Sequence, residues 1–361
     1  MRIHSASNWR GFSLIELMVA MLIGLLVLAG VIQVVLNSKR SFLDNQETAF
    51  IQDNTRYALD IIAKDFRSSG YRGCARNEPS IVNVIKFASI NTPAGGTGAL
   101  SDAFAFNNKP FVGRDSKSAA DLKDPDIANF LPSGVLPDTI TLRTIPNQSE
   151  NVLSLHNPKS NTLTTNQPVQ FNDGTPLVIV DANCQNVALL AAGTGGVAST
   201  QLKLTGNLNC STGLTSTGEA SCTSGKINTT KSLTPGSTIF PYLVNIYFIG
   251  KSNSSFNETM PALKRQYLTS VTGIPTFRTE EIAQGVEDMQ ITYGLNDGNG
   301  KVLNDQFVTA DVVNADWNKV VAVHIVLTLR SNLPVNKSVD GDGGYIRKKV
   351  ASTISLRNFG S

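Results

Sequence analysis

Histidine is almost missing from this chain, three in 361 residues, and that scarcity removes most hydrolytic chemistry at the outset. A serine or cysteine nucleophile normally needs a histidine beside it as base. His156 stands in a polar stretch with Asn157 and Pro158, and His324 falls on the polar side of an alternating run, so both read as surface residues. No G-x-S-x-G, P-loop, G-x-G-x-x-G or H-E-x-x-H pattern occurs, which sets aside nucleophile-elbow hydrolysis, phosphate cradles, dinucleotide binding and zinc peptidases. The chain is expected not to be an enzyme and to need no cofactor.

Charge is also sparse. Charged residues make up 16% of the chain against 41% hydrophobic, so Ser, Thr and Asn must supply much of the surface of a folded body. The 31 basic residues, 29 without Arg2 and Arg10, meet 28 acids, and no basic block follows residue 40. Direct nucleic-acid binding is therefore not expected. No internal repeat of solenoid period is present.

The four cysteines lack any C-x-x-C pair, which argues against zinc or a redox motif. Cys74, Cys184, Cys210 and Cys222 are candidates for disulfides instead. Three pairings are open. Cys210 with Cys222, flanking a short Ser/Thr/Gly-rich loop, is favoured, leaving Cys74 with Cys184, and a bridge over so short a loop is worth on the order of 3 kcal/mol. Such bonds require an exported compartment.

The N-terminus supplies that expectation. Leu17 to Ser38 carries no charge, bounded by Glu16 on one side and Lys39 and Arg40 on the other. As a helix the run spans roughly 33 Å, enough for a hydrocarbon core of about 30 Å. It is too long for the core of a cleaved signal peptide, and a helical pattern continues straight on beyond it. Glu16 is the exception in this apolar setting. A carboxylate at membrane depth needs a partner or a route to water: cleavage between Gly11 and Phe12 would create an α-amine four residues away, and the amine of a neighbouring subunit could neutralise it. The plainer alternative is that Glu16 marks the membrane edge and reaches solvent.

Gly11-Phe12-Ser13-Leu14-Ile15-Glu16-Leu17-Met18-Val19-Ala20-Met21 resembles the class III signal of type IV pilins and type II secretion pseudopilins. The resemblance implies that a prepilin peptidase cuts after Gly11, that Phe12 becomes N-methylated, and that Glu16 is the acidic assembly residue. Many major pilins carry proline where this chain has Gln33, whereas Gly24 and Gly30 allow softening or close packing here. Asn54 to Cys74, NTRYALDIIAKDFRSSGYRGC, is similar to the PilW family of minor pilins, as are Val286-Glu287-Asp288-Met289-Gln290, Tyr293-Gly294 and Leu356-Arg357-Asn358. Residues 75 to 235 support no such transfer.

The expected fold is α+β and type IV pilin-like: a long N-terminal helix, membrane-spanning in its first half, packed on a β-rich head with loop insertions. The segments are a leader at 1–11, an assembly helix at 12–38, its amphipathic continuation at 39–69 and the head at 70–361. Phe42, Leu43, Phe50, Tyr57, Ala58, Ile61, Ile62 and Phe66 recur at helical spacing, with the packed part placed after Tyr57 and a stop at Gly70 and Gly73. In the head, Val321, Val323, Ile325, Leu327 and Leu329 alternate with Ala322, His324, Thr328 and Arg330, predicting a half-buried strand over Val320 to Arg330. Ile239 to Ile249 reads as one central strand, and Met289 to Leu295, Ile140 with Leu142, Leu177 to Val180 and Thr353 to Leu356 as others. Asn91 to Asp126 and Ala191 to Leu233 read as loops.

Two acidic turns hold weak calcium candidates, Asp297 with Asn299 and Asp340 with Asp342. Neither offers the full EF-hand set, so hairpin turns are favoured over metal sites. The resemblance then implies a minor pilin, anchored in the inner membrane with its head in the periplasm and later displayed on the pilus. Its partners would be other minor and major pilins, and its role to initiate or complete the filament in support of adhesion, twitching motility or DNA uptake. A type II secretion pseudopilin, or an adhesin that binds a surface ligand, are the alternatives.

Overall fold

A computed structural model of the chain describes residues 13–75, 80–85, 109–118, 121–122, 124–147, 149, 151–157, 162–193, 199–204, 208–209, 233–254, 259–299, 301–314, 316–335 and 344–356. Helix α1 (Leu14–Ser68) runs for 55 residues, roughly 80 Å. Sixteen strands follow it among the described residues: β1 (Ser80–Asn83), β2 (Phe111–Arg114), β3 (Thr139–Thr144), β4 (Asn151–Asn157), β5 (Thr162–Val169), β6 (Pro176–Val180), β7 (Asn186–Ala191), β8 (Ser199–Lys203), β9 (Thr238–Pro241), β10 (Leu243–Lys251), β11 (Pro261–Val271), β12 (Ile274–Gln284), β13 (Val286–Asn296), β14 (Val302–Val308), β15 (Val320–Arg330) and β16 (Arg347–Ser355). The α+β, pilin-like expectation holds.

The strands form three sheets: β1-β7-β6-β9-β4-β5-β8, β12-β11-β10-β3-β2 and β14-β13-β15-β16. The five-stranded sheet lies between the other layers. Tyr247 and Ile249 point to a core shared with α1 and the four-stranded sheet, while Val244 and Ile246 meet Val178, Val180, Val187 and Leu189 of the seven-stranded sheet. That is the period of two of a strand buried on both faces.

Helix α1 enters this body gradually. Glu47, Ile51, Thr55, Ala58, Ile62, Ala63 and Phe66 form its buried stripe, at intervals of mainly four residues. The packed region thus begins nearly three turns before Tyr57, which is itself 55% exposed. Phe66 meets Phe111 edge-on at 5.7 Å, and Phe111, Tyr293 and Trp317 continue the cluster. The stop is as expected: the helix ends at Ser68, and Gly70 and Gly73 take positive φ.

Three expectations need correction. The apolar run Ile239 to Ile249 is two strands in two sheets, parted at Tyr242, whose N–H donates to Pro176 O at 2.9 Å as the chain crosses over. The segments expected as loops contain β2 and β8. Strand β15 forms over the expected residues but is not half-buried, since Ala322, Thr328 and Arg330 of its expected polar face are covered too; opposite it the register shifts between Gly294 and Leu295, and Val320 joins the core cluster beside Val323.

Candidate assembly interface

Every large apolar side chain from Leu14 to Leu36 is 50–77% exposed on the isolated chain. A helix apolar all round has no stable resting place in water, and this one is long and apolar enough to cross a membrane. Such a surface suits lipid or the apolar faces of other helices. Ser13 caps the helix, and its N–H donates to Glu16 Oε2 at 3.3 Å. Ser13-x-x-Glu16 is therefore a capping box, a second role for Glu16 that its spacing from Ser13 signals. Gly11 and Phe12 lie outside the described residues, so the pairing of Glu16 with an amine is untested.

Where α1 meets the head, polar side chains of the helix satisfy backbone groups and side chains far away in sequence. The Glu47 carboxylate is buried and accepts N–H groups of Asn332 at 2.6 Å and Leu333 at 3.3 Å. Asn54 accepts the N–H of Gln284 at 3.0 Å. Asp65 accepts from Asn245 Nδ2 at 2.6 Å and the Tyr247 hydroxyl at 2.5 Å, and burial together with this carboxylate raises the Tyr247 pKa well above its ordinary range. These bonds fix the rotation of the helix about its axis more specifically than apolar contact alone.

Behind Glu47 sits a buried ionic cluster. Glu287 takes a two-pronged contact from Arg347, Nε to Oε2 at 2.7 Å and NH2 to Oε1 at 3.1 Å, with Arg330 NH1 at 3.6 Å. The Arg330 guanidinium stands 4.4 Å over the Tyr345 ring and donates to Thr259 O at 3.0 Å, while burial lowers its pKa. Gly285 makes the approach possible: its φ is 77°, and a Cβ there would lie 2.6 Å from Arg330 O and 3.3 Å from the Phe50 ring.

The remaining candidates are scattered. Cys74 is bonded to Cys184, tying the segment after α1 to the β6–β7 turn, whereas Cys210 and Cys222 lie outside the described residues. His324 bonds Thr353 Oγ1 across strands at 2.9 Å. His156 is a correction, for it is buried on β4. Its Nδ1 accepts the Leu233 N–H at 3.0 Å and desolvation lowers its pKa, a neutral core role that sequence could not show because Leu233 is remote along the chain. Asp297 Oδ1 accepts N–H groups of Asn299 at 2.7 Å and Lys301 at 3.1 Å, and these bonds hold its pKa down, as in a closed turn. Asn299 supplies a backbone donor there; Asp340 and Asp342 lie outside the described residues. Among the described residues no three His, Cys, Asp or Glu side chains cluster as a metal site.

A capped apolar helix with one acidic residue in its first turn, carrying a β-rich head, defines the pilin class. Residues 10–32 match the family model of the prokaryotic N-terminal methylation motif. Residues 246–358 match the model of type IV pilus-assembly protein W, a span that takes in most of β10, all of β11 to β16 and the Glu287 cluster. The PilW-like segment, under a third of the chain, and the methylation motif together support a type IV pilus-related pilin. No curated protein matches the chain.

Proposed function

We propose that this chain is a minor pilin that joins other minor pilins through α1 to initiate or complete a type IV pilus, and that it performs no catalysis. One observation carries the reading: the first 23 residues of α1, Leu14 to Leu36, expose every large apolar side chain to whatever surrounds the helix. In lipid that surface is satisfied in the monomer; in a fibre it is satisfied by sister helices, so the same residues serve anchor and assembly.

On this reading residues 1–11 are a leader removed by a prepilin peptidase, and cleavage between Gly11 and Phe12 precedes N-methylation of Phe12. Residues 12–38 span the inner membrane, 39–69 continue the helix onto the head, and 70–361 form a periplasmic head later displayed on the pilus. Glu16 then passes from its bond with Ser13 N–H to the terminal amine of a neighbour, which sets the stagger between helices. Adhesion, twitching motility or DNA uptake would depend on the fibre so built. Mass spectrometry of protein from sheared pili tests the processing, with N-methylated Phe12 as the expected first residue. Glu16→Ala should lower incorporation into sheared fibres at least severalfold while the chain stays in the inner membrane; equal incorporation contradicts the pairing.

A further inference from the structure

A cleft of about 700 Å³ opens where the last two turns of α1 lie against β3, β10 and β11. Its size is within the roughly 300–1,000 Å³ of ligand sites. Lys64 and Arg67 stand on the helical wall, and neither has a hydrogen bond or ion pair among the described residues. Arg265 forms part of the opposite wall, with Glu280 Oε1 2.6 Å from its Nε and Asp65 Oδ2 3.6 Å from its NH1. Tyr71 and Tyr267 line the cleft together with Leu243, which is 38% exposed.

We propose that this cleft binds an acidic, extended peptide segment bearing an aromatic or aliphatic side chain, supplied by a neighbouring subunit. The charge pattern selects the ligand. Lys64 and Arg67 are uncommitted donors among the described residues, while the carboxylate of Asp65 is already occupied by Asn245 and Tyr247, so the free charge on the walls is positive and lies beside the apolar Ile145, Leu243 and Leu268. Carboxylates flanking one apolar group gain charge-assisted bonds to both cations that a neutral sugar cannot make. A lipid headgroup is out of reach: at ~1.5 Å per residue Lys64 lies about 40 Å along the helix from Ser38, the end of the uncharged run. The strands are not available for β-addition at this point, since β3 already pairs with β2 and β10, and β10 with β11. Recognition therefore falls to side chains. A peptide from another subunit is the nearest source, because the cleft opens beside the helix along which subunits are read to pack.

The source of the segment rests on the filament reading, but the binding itself does not. Full-length protein in neutral detergent micelles would be titrated against a fluorescein-labelled Glu-Glu-Phe-Glu-Glu peptide, followed by anisotropy. The expected result is saturable binding, weakened at least tenfold by the double variant Lys64→Glu with Arg67→Glu, at least threefold by Leu243→Ser, and absent for the Gln-Gln-Phe-Gln-Gln peptide. Melting of both variants at the parent temperature shows that the head stays folded. Equal binding of the charged and amide peptides, binding untouched by the double variant, or capture of oligogalacturonate in place of the peptide would each overturn the proposal. None of these outcomes bears on Glu16, whose test is incorporation into fibres.

Discussion

Replacing Glu287 by glutamine keeps its shape but removes the charge that two guanidinium groups share. Glu287 is 1% exposed and Arg330 6%, so water cannot take over the lost partner. Breaking a buried ion pair from one side costs about 3–5 kcal/mol, because the other charge is left without compensation. Here the amide can still accept one bond from Arg347, and the Tyr345 ring and Thr259 O still face Arg330, which argues for the low end, about 3 kcal/mol. For a chain of 361 residues that is a fall of roughly 4–5 °C in melting temperature. Thermal unfolding of the full chain in detergent, followed by near-ultraviolet circular dichroism, reads it directly. The companion variant carries Glu287→Met, Arg330→Met and Arg347→Leu together, and it should recover to within about 1–2 kcal/mol of the parent, since an apolar cluster of similar volume has no desolvation to offset. If Glu287→Gln melts with the parent, or if the triple variant is worse than the single, the cluster does not act as a compensated buried charge and the reasoning is wrong.

Asp138 has its pKa raised to about 7, chiefly by burial and despite the Ile291 N–H that it accepts. Unfolded, the same carboxyl ionises near 4, so from about pH 4 to 7 unfolding releases a proton and stability falls as pH rises, by up to ~1.4 kcal/mol per pH unit. Asp138→Asn should flatten that part of the pH–melting curve; an unchanged slope would refute the assignment. Breaking Cys74–Cys184, which closes a loop of 110 residues, should cost about 4–5 kcal/mol in denaturant titrations of the Cys74→Ser, Cys184→Ser double variant. Phe66→Ala removes the ring that seats the end of α1 on Phe111 and should cost about 3–5 kcal/mol in the same titration.

The anchor was legible because an uncharged run bounded by Glu16 and Lys39 has few physical meanings. The buried stripe of α1 was half legible. Ala58, Ile62 and Phe66 announce themselves by spacing, but Glu47 and Thr55 are buried only because Glu47 receives N–H groups from Asn332 and Leu333, and Thr55 turns its hydroxyl onto Ile51 O at 2.6 Å. Polar groups look solvated in a sequence until the partner is known, and the partner of Glu47 is 285 residues away. His156 was misplaced for the same reason. The split of Ile239 to Ile249 is a different failure: apolar alternation tells that a strand is buried and nothing about which sheet it joins, so one unbroken pattern served two sheets.

The two glutamates of α1 make the contrast functional. Glu16 stands at the exposed tip and holds only a long bond to its own capping residue, so on the assembly reading proposed above its exchange for an intermolecular partner would cost little. Glu47 is buried against the head and holds two backbone donors, one of them at 2.6 Å, so releasing it means losing the register between helix and head. On that reading one carboxylate would exchange and the other stay. Between them no helix residue is fully buried and only Leu43 is half-buried among the described residues, and at ~1.5 Å per residue that length is about 45 Å. A hydrocarbon core takes up about 30 Å of it. On the membrane reading proposed above, the remaining turns, around Phe42, would hold the head clear of the bilayer.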